Sequence, residues 1–315
     1  MVREGLFDDV DAAISWHPAT FTGVNEANSL ANTRIDFTFH GKAAHAAGAP
    51  ELGRSALDAV ELMNIGVNYL REHIPDAARV HYAYLDAGGV APNVVQSRAV
   101  VRQLVRASSL PELNDLIARV RKIADGAALM TETRVTSQVF SGVSNLLGNR
   151  PLEETLQAEL EKLGPVAFDA VDEAFARDIQ KTLTAADIDT TFKRIGAKPQ
   201  KDLALCDFIA PLDRHSDGGE GSTDVGDVSW AVPTVQARVA TCAIGTPFHT
   251  WQTVAQGKAP AAHKGMIYAA KAMAATACRL IETPSLIDTA KQTHRDHLEA
   301  TPYTCPIPDD VNPPV

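Results

Sequence analysis

The sequence predicts an α/β protein into which a ferredoxin-like unit of order β-α-β-β-α-β is inserted. Three observations carry this. Residues 29–141 switch between period-two and period-3.6 hydrophobic patterns in that order. The flanks, 1–28 and 142–315, alternate strand-like and helix-like stretches, so they are expected to meet in space as one layer. No internal repeat or low-complexity tract interrupts either part.

The first flank holds a short apolar strand over 11–16 that ends at His17-Pro18. In the inserted unit, residues 34–40 alternate strictly. Ile35, Phe37 and Phe39 share one face, and Arg34, Asp36, Thr38 and His40 the other, as in a half-buried strand. Gly41 breaks it. Over 54–73 the positions Leu57, Val60, Met63, Val67 and Leu70 make one helical stripe, with Pro75 as the stop. Val80, Tyr82 and Tyr84 alternate again, and Gly88-Gly89 closes that strand. A Val-rich strand follows over 96–106. Pro111 opens a second helix striped by Leu113, Leu116, Ile117, Val120 and Ile123, proline being tolerated in a first helical turn. Residues 135–140 complete the unit as a short strand. The second flank is expected to be helical over 151–164 and 171–183. A Gly-rich acidic loop over 213–227, a buried strand over 234–244 and an Ala-rich helix over 259–281 follow.

Composition narrows the function. Lys and Arg number 29 against 39 Asp and Glu, a formal charge of −10. Such a chain lacks the basic face of a nucleic-acid binder and is not drawn to anionic membrane. No apolar run reaches the ~18–20 residues of a membrane span, and the N-terminus has no apolar signal core. Cys206, Cys242, Cys278 and Cys305 show no zinc-finger spacing and read as reduced thiols of a cytoplasmic protein.

The candidate chemistry lies at junctions. His17 ends a strand and His249 follows the buried strand, in Gly245-Thr246-Pro247-Phe248-His249. Open α/β sheets place ligand groups at such strand ends, where a neutral imidazole either holds a metal or simply packs. His45 stands among small residues in Gly41-Lys42-Ala43-Ala44-His45-Ala46-Ala47-Gly48, which permit close approach of a ligand or a second chain. In 217–227 the glycines allow tight turns, and Ser222, Thr223 and backbone N–H groups suit a carboxylate. Two decoys need another explanation. Glu153-Glu154 opens a helix, where the dipole favours acids, and His215-Ser216-Asp217 has metal-motif spacing but no apolar strand before it.

In this order Trp16-His17-Pro18, Gly41-Lys42-Ala43-Ala44-His45-Ala46, Pro92-Asn93-Val94-Val95, the 221–227 stretch and Phe248-His249-Thr250 resemble the metal-dependent amidohydrolases and peptidases that include aminoacylase, the auxin-conjugate hydrolases and carnosine dipeptidase. The resemblance implies a two-metal site, zinc or manganese, whose activated water attacks the amide of an N-acyl or N-aroyl amino acid such as p-aminobenzoyl-glutamate. It implies His17 and His249 as metal ligands and His45 as the oxyanion donor, acting in trans across a dimer formed by the inserted unit. Asn93, Ser222, Thr223 and Asp224 would face the substrate, and Arg54, Arg214 or Arg238 its carboxylate. The dimer could be homo- or heteromeric. The family's remaining ligands and its glutamate base lie N-terminal to the residue matching His17, and only sixteen residues precede His17. The expectation is therefore a catalytic layer without its first half, weak metal binding, and little activity unless another chain supplies the missing groups. The rival is a non-catalytic fragment or subunit.

Overall fold

The computed structural model describes residues 1–200, 202–213 and 221–311. In chain order the elements are β1 (Ala13–Ala19), β2 (Gly23–Val24), β3 (Ala31–His40), α1 (Ala56–Leu70), β4 (Arg79–Asp86), β5 (Arg98–Ala107), α2 (Leu110–Met130), β6 (Arg134–Val143), α3 (Arg150–Leu163), α4 (Ala170–Gln180), α5 (Ala185–Arg194), α6 (Val225–Ala231), β7 (Thr234–Ala240), α7 (Trp251–Gln256), α8 (Pro260–Glu282) and α9 (Pro284–Ala300). They form two compact units.

The inserted unit comprises the described residues within Asn28–Leu146, Gly219–Asp227 and Thr304–Val315. Its four strands lie in the order β4-β5-β3-β6, every neighbouring pair antiparallel, as a ferredoxin-like unit requires. The alternation in β3 works as expected: Ile35, Phe37 and Phe39 are buried with Val60, Met63 and Val67 of α1 and Leu113, Leu116 and Val120 of α2. Ser55 caps α1 by accepting the Asp58 N–H at 3.1 Å, which sets the helix start. A Cβ on Gly66 of α1 would stand 2.6 Å from Ile123 Cγ2, so the glycine lets α2 approach closely. One buried polar pair departs from the pattern: Gln103 Nε2 donates to Asn64 Oδ1 at 3.0 Å inside this core.

Three expectations change here. Val80, Tyr82 and Tyr84 alternate, yet only Val80 is buried; Tyr82 and Tyr84 remain 37% and 44% exposed because β4 is an edge strand. The acidic loop ends early, since residues 225–227 already belong to α6. Thr223 receives that helix, its Oγ1 accepting the Val225 N–H at 3.3 Å and its carbonyl the Gly226 N–H at 3.1 Å. Finally, residues 221–227 and 304–311, expected in the flanking layer, cluster with the inserted unit. Leu30 N–H donates to Gly221 O at 3.0 Å, and Ser144 Oγ donates to the Asp227 carboxylate at 2.7 Å.

The other unit comprises the described residues within Met1–Ala27, Leu147–Gly218 and Val228–Tyr303. Its sheet runs β1-β7-β2, with β1 and β7 parallel and β2 antiparallel. β1 does not stop before His17-Pro18 but continues through both, pairing His17 with Arg238 and Pro18 with Val239. Proline is tolerated because β1 is an edge of this sheet, where one side of the strand needs no ladder donor. β7 is central and almost wholly buried, and its core is Val235, Ala237 and Val239 with Leu152, Leu156 and Leu160 of α3 and Tyr268, Ala269 and Ala272 of α8. A Cβ on Gly265 would lie 2.4 Å from Ala240 O, so α8 presses its backbone on the end of β7. Among the described residues no helix is long and apolar enough to cross a membrane.

Gly265→Val should cost about 1–3 kcal/mol or more, as overpacking does. Urea denaturation should show a lower midpoint with an unchanged slope; an unchanged midpoint would contradict the close α8–β7 approach.

Candidate functional site

His17 and the His249 loop occupy one edge of the β1–β7 pair. Parallel pairing brings both strands' C-terminal ends to the same side. The loop after β7 turns at Gly245, whose φ is +94°. It is fixed by Gln256, which accepts the Ala243 N–H at 2.7 Å and donates to Thr246 Oγ1 at 3.0 Å. The Phe248 ring then lies 6.1 Å from the half-buried His17 ring. His249 itself is exposed, with φ +64° in the left-handed region.

The His17 tautomer follows from its neighbours. Nδ1 lies 2.6 Å from the Pro18 carbonyl oxygen, which can only accept, whereas Arg238 Nη1 is 3.4 Å away. The shorter contact decides: in the neutral imidazole the proton is on Nδ1 and Nε2 carries the lone pair, the form that ligates metals. Arg238 also donates from Nε to Asn25 Oδ1 at 2.9 Å, and Asn25 Nδ2 donates to Gln236 Oε1 at 2.7 Å. This network holds Arg238 to the strand pair. Arg54 is also engaged, donating to Glu132 at 2.8 Å.

In the inserted unit the structure brings His45 and Asn93 together. Their two loops are zipped by a bridge between His45 and Val94, by Ala46 N–H to Asn93 O at 3.0 Å and by Val95 N–H to Ala44 O at 3.0 Å. Gly41 makes this possible, since a Cβ there would stand 2.0 Å from Arg54 O. His45 is exposed, and its Nδ1 accepts backbone N–H groups of Gly48 at 2.9 Å and Ala47 at 3.2 Å. Nδ1 is therefore unprotonated and Nε2 carries the proton, the reverse of His17. His45 thus presents an N–H donor outward.

Ser222 sits elsewhere in the same unit. It accepts from Arg106 Nη1 at 3.3 Å, at the far end of β5. Thr223 is committed to receiving α6, and Asp224 is exposed. Arg106 was not singled out in the sequence. Burial, then the neighbouring Arg34 charge, holds its guanidinium below the ordinary arginine value. No carboxylate pairs with it among the described residues. The available signal was the spacing Arg98, Arg102, Arg106, which puts all three on one face of β5. Arg102 differs: it donates to both oxygens of Asp36, which raises its pKa.

The two groups do not meet within one unit. His45 and Asn93 lie at the end where His40 of β3 pairs with Arg98, and Ser222 and Arg106 at the end where Ala31 pairs with Ala107. The eight residue steps from Arg98 to Arg106 span about 26 Å at ~3.3 Å each.

Among the described residues no three His, Cys, Asp or Glu side chains are grouped to hold a metal ion. His17 has the right tautomer, but the described residues do not complete a two-metal centre. Glu154 is engaged by Arg150 at 2.8 Å, and burial raises the pKa of Glu153 in the first turn of α3. Arg214 and the His215-Ser216-Asp217 motif lie outside the described residues.

A family model described as a peptidase dimerisation domain matches residues 29–131. One of the subunits of the p-aminobenzoyl-glutamate hydrolase of Escherichia coli (strain K12) is 45% identical over 323 residues, covering 99% of this chain and 67% of its own length. The chain belongs to the M20 family of amidohydrolases and peptidases. The Xaa-Arg dipeptidase of Mus musculus is 26% identical over 95% of this chain and 59% of its own length. A Bacillus subtilis dinuclear metal-binding peptidase of the M20 family shares the fold, with a TM-score of 0.53 at 14% identity over 90% of this chain and 60% of that one. The chain thus spans between 59% and 67% of the length of these relatives.

The His45 tautomer is directly measurable. Nitrogen-15 NMR of the imidazole should show Nε2 protonated and Nδ1 not; a protonated Nδ1 at neutral pH would contradict the Gly48 and Ala47 contacts.

Proposed function

We propose that this chain acts in a metal-dependent amidohydrolase that cleaves an N-acyl or N-aroyl amino acid, p-aminobenzoyl-glutamate foremost. We further propose that each active site is shared between two chains. The observation that carries this is the separation of His45 and Asn93 from Arg106 and Ser222 along one sheet. Groups at opposite ends of a sheet cannot both touch one small substrate. They can do so if one copy contributes one end and its partner the other. The match of residues 29–131 to a peptidase dimerisation domain supports the same arrangement. So do the exposed Ile65 and Tyr69 of α1 and Tyr82 and Tyr84 of β4, an apolar margin that a second copy would cover.

Each residue then has a task. Arg106 and Ser222 bind the substrate carboxylate, Arg106 being the half-buried cation with a charge to satisfy. Thr223 holds Ser222 in place by receiving α6, and Asp224 stands at the rim. His45 of the second copy donates its Nε2 proton in a hydrogen bond to the oxyanion that develops on the amide carbonyl. Asn93 flanks the same substrate group. His17 and His249 face the metal edge. Zinc or manganese, when bound, supplies the activated water, and no step is assigned through it because the described residues do not complete its site. The free cysteines fit a cytoplasmic setting.

A second reading has its own observation. No three candidate ligands are grouped among the described residues, and on this reading the chain would be a subunit whose site another polypeptide completes. Incubating the pure chain with zinc or manganese and p-aminobenzoyl-glutamate separates the two by release of p-aminobenzoate. Turnover supports the first; turnover only after another polypeptide is added supports the second. In the active form, Arg106→Met should raise KM roughly 10- to 100-fold, the worth of one charge-assisted pair, and move kcat less. An unchanged KM would remove Arg106 from the carboxylate site.

A further inference from the structure

The C-terminal segment occupies a place that neither the ferredoxin-like pattern nor the proposed chemistry calls for. Residues 304–311 belong to the inserted unit. Gly142 is a buried residue of β6, and a Cβ built on it would stand 2.9 Å from Pro306 O and 3.1 Å from Pro306 Cβ. Glycine weakens the interior of a strand, and its use there marks the close approach of another backbone. That backbone is the C-terminal segment.

Further along, Asp310 joins Asp36, Thr38, Asp86, Arg98 and Thr136 in lining a polar cavity of about 790 Å³. These β3 positions alternate with Ile35, Phe37 and Phe39, so the cavity lies on the sheet face away from α1 and α2. The same face carries Arg34, Arg98, Arg102 and Arg106, while the segment brings Asp309 and Asp310. Arg98 and Arg102 are paired with Asp86 and Asp36 on that face, so its excess charge comes from Arg34 and Arg106 and is opposite to the segment's. Pro306 and Pro308 have no N–H to offer, so the segment cannot extend a regular ladder. Cys305, Pro306 and Ile307 are half-buried, and Pro308 to Asp310 are exposed.

We propose that residues 304–311 form a releasable strap. It is keyed to the sheet by the missing side chain of Gly142 and covers one margin of the polar cavity. Its release opens that margin of the cavity, without unfolding the sheet beneath. Local opening of this kind belongs to segments with few buried contacts.

Cys305 reports on the strap. Thiol labelling at pH 8, resolved by mass spectrometry for each cysteine, has internal standards. Cys278 is exposed and should react fast, whereas Cys206 and Cys242 are buried, which pushes their thiols up to about 11, and should stay silent in the native protein. In the unmodified chain Cys305 should react about tenfold more slowly than Cys278. Gly142→Val should bring it to nearly the Cys278 rate, because the valine side chain occupies the place of Pro306 O. Valine is favoured in strands, so the variant should keep its cooperative melt. If it does not, Gly142→Ala adds the one methyl that meets Pro306 O and gives the same readout. A chain cut before Thr304 should bind a synthetic 302–311 peptide in trans, and the same cut chain carrying Gly142→Val should not. Equal Cys305 and Cys278 rates in the unmodified chain, or an unchanged slow Cys305 rate in both Gly142 variants, would overturn the strap.

Discussion

The uninterrupted register of β3 against β5 is the constraint on which the rest depends. Ten residues pair from Ala31 with Ala107 to His40 with Arg98. A strand that long has two ends that one small molecule cannot bridge. The chain places its outward imidazole donor at one end and its half-buried, acid-free guanidinium at the other. No side-chain rearrangement inside the unit removes that separation, because Ile35, Phe37 and Phe39 lock the register into the core. The proposed shared site is the arrangement in which both groups could serve one substrate.

Backbone geometry also chooses what each histidine can do. His17 gives its Nδ1 proton to a carbonyl inside a strand, and His45 takes two N–H groups from a tight loop. One imidazole is left as an acceptor at Nε2 and the other as a donor at Nε2. A metal ligand and an oxyanion donor need these opposite states. The distinction rests on main-chain atoms, so side-chain identity alone does not reveal it. Gly41 and Gly48 belong to the same device, one admitting the Arg54 backbone and the other presenting its N–H.

Much of the fold was legible because burial and periodicity coincide. The stripes of α1 and α2 and the alternation of β3 state which face is inward, and the order of elements then defines the unit. Edge effects were not legible. Tyr82 and Tyr84 have the alternation of a half-buried strand, and only the sheet order leaves them open. Pro18 looked like a strand end, and edge position lets β1 run through it. In the site, His45 and Asn93 stood out by their small neighbours and fell together. Arg106 did not stand out, because its value lies in lacking the acid that Arg102 and Arg54 possess. That lack is a tertiary fact. Arg238 is held through Nε by the neutral amide of Asn25 instead.

Sharing of the site between chains is tested most directly by mixing two impaired variants and assaying at substrate concentrations well below KM. His45→Ala keeps Arg106, and Arg106→Met keeps His45. After subunits reassort at equal concentration, half the dimers are mixed and each has one intact site. About a quarter of the unmodified activity should therefore return. No recovery despite demonstrated exchange would mean that His45 and Arg106 serve the same site from the same chain, or that one of them serves none.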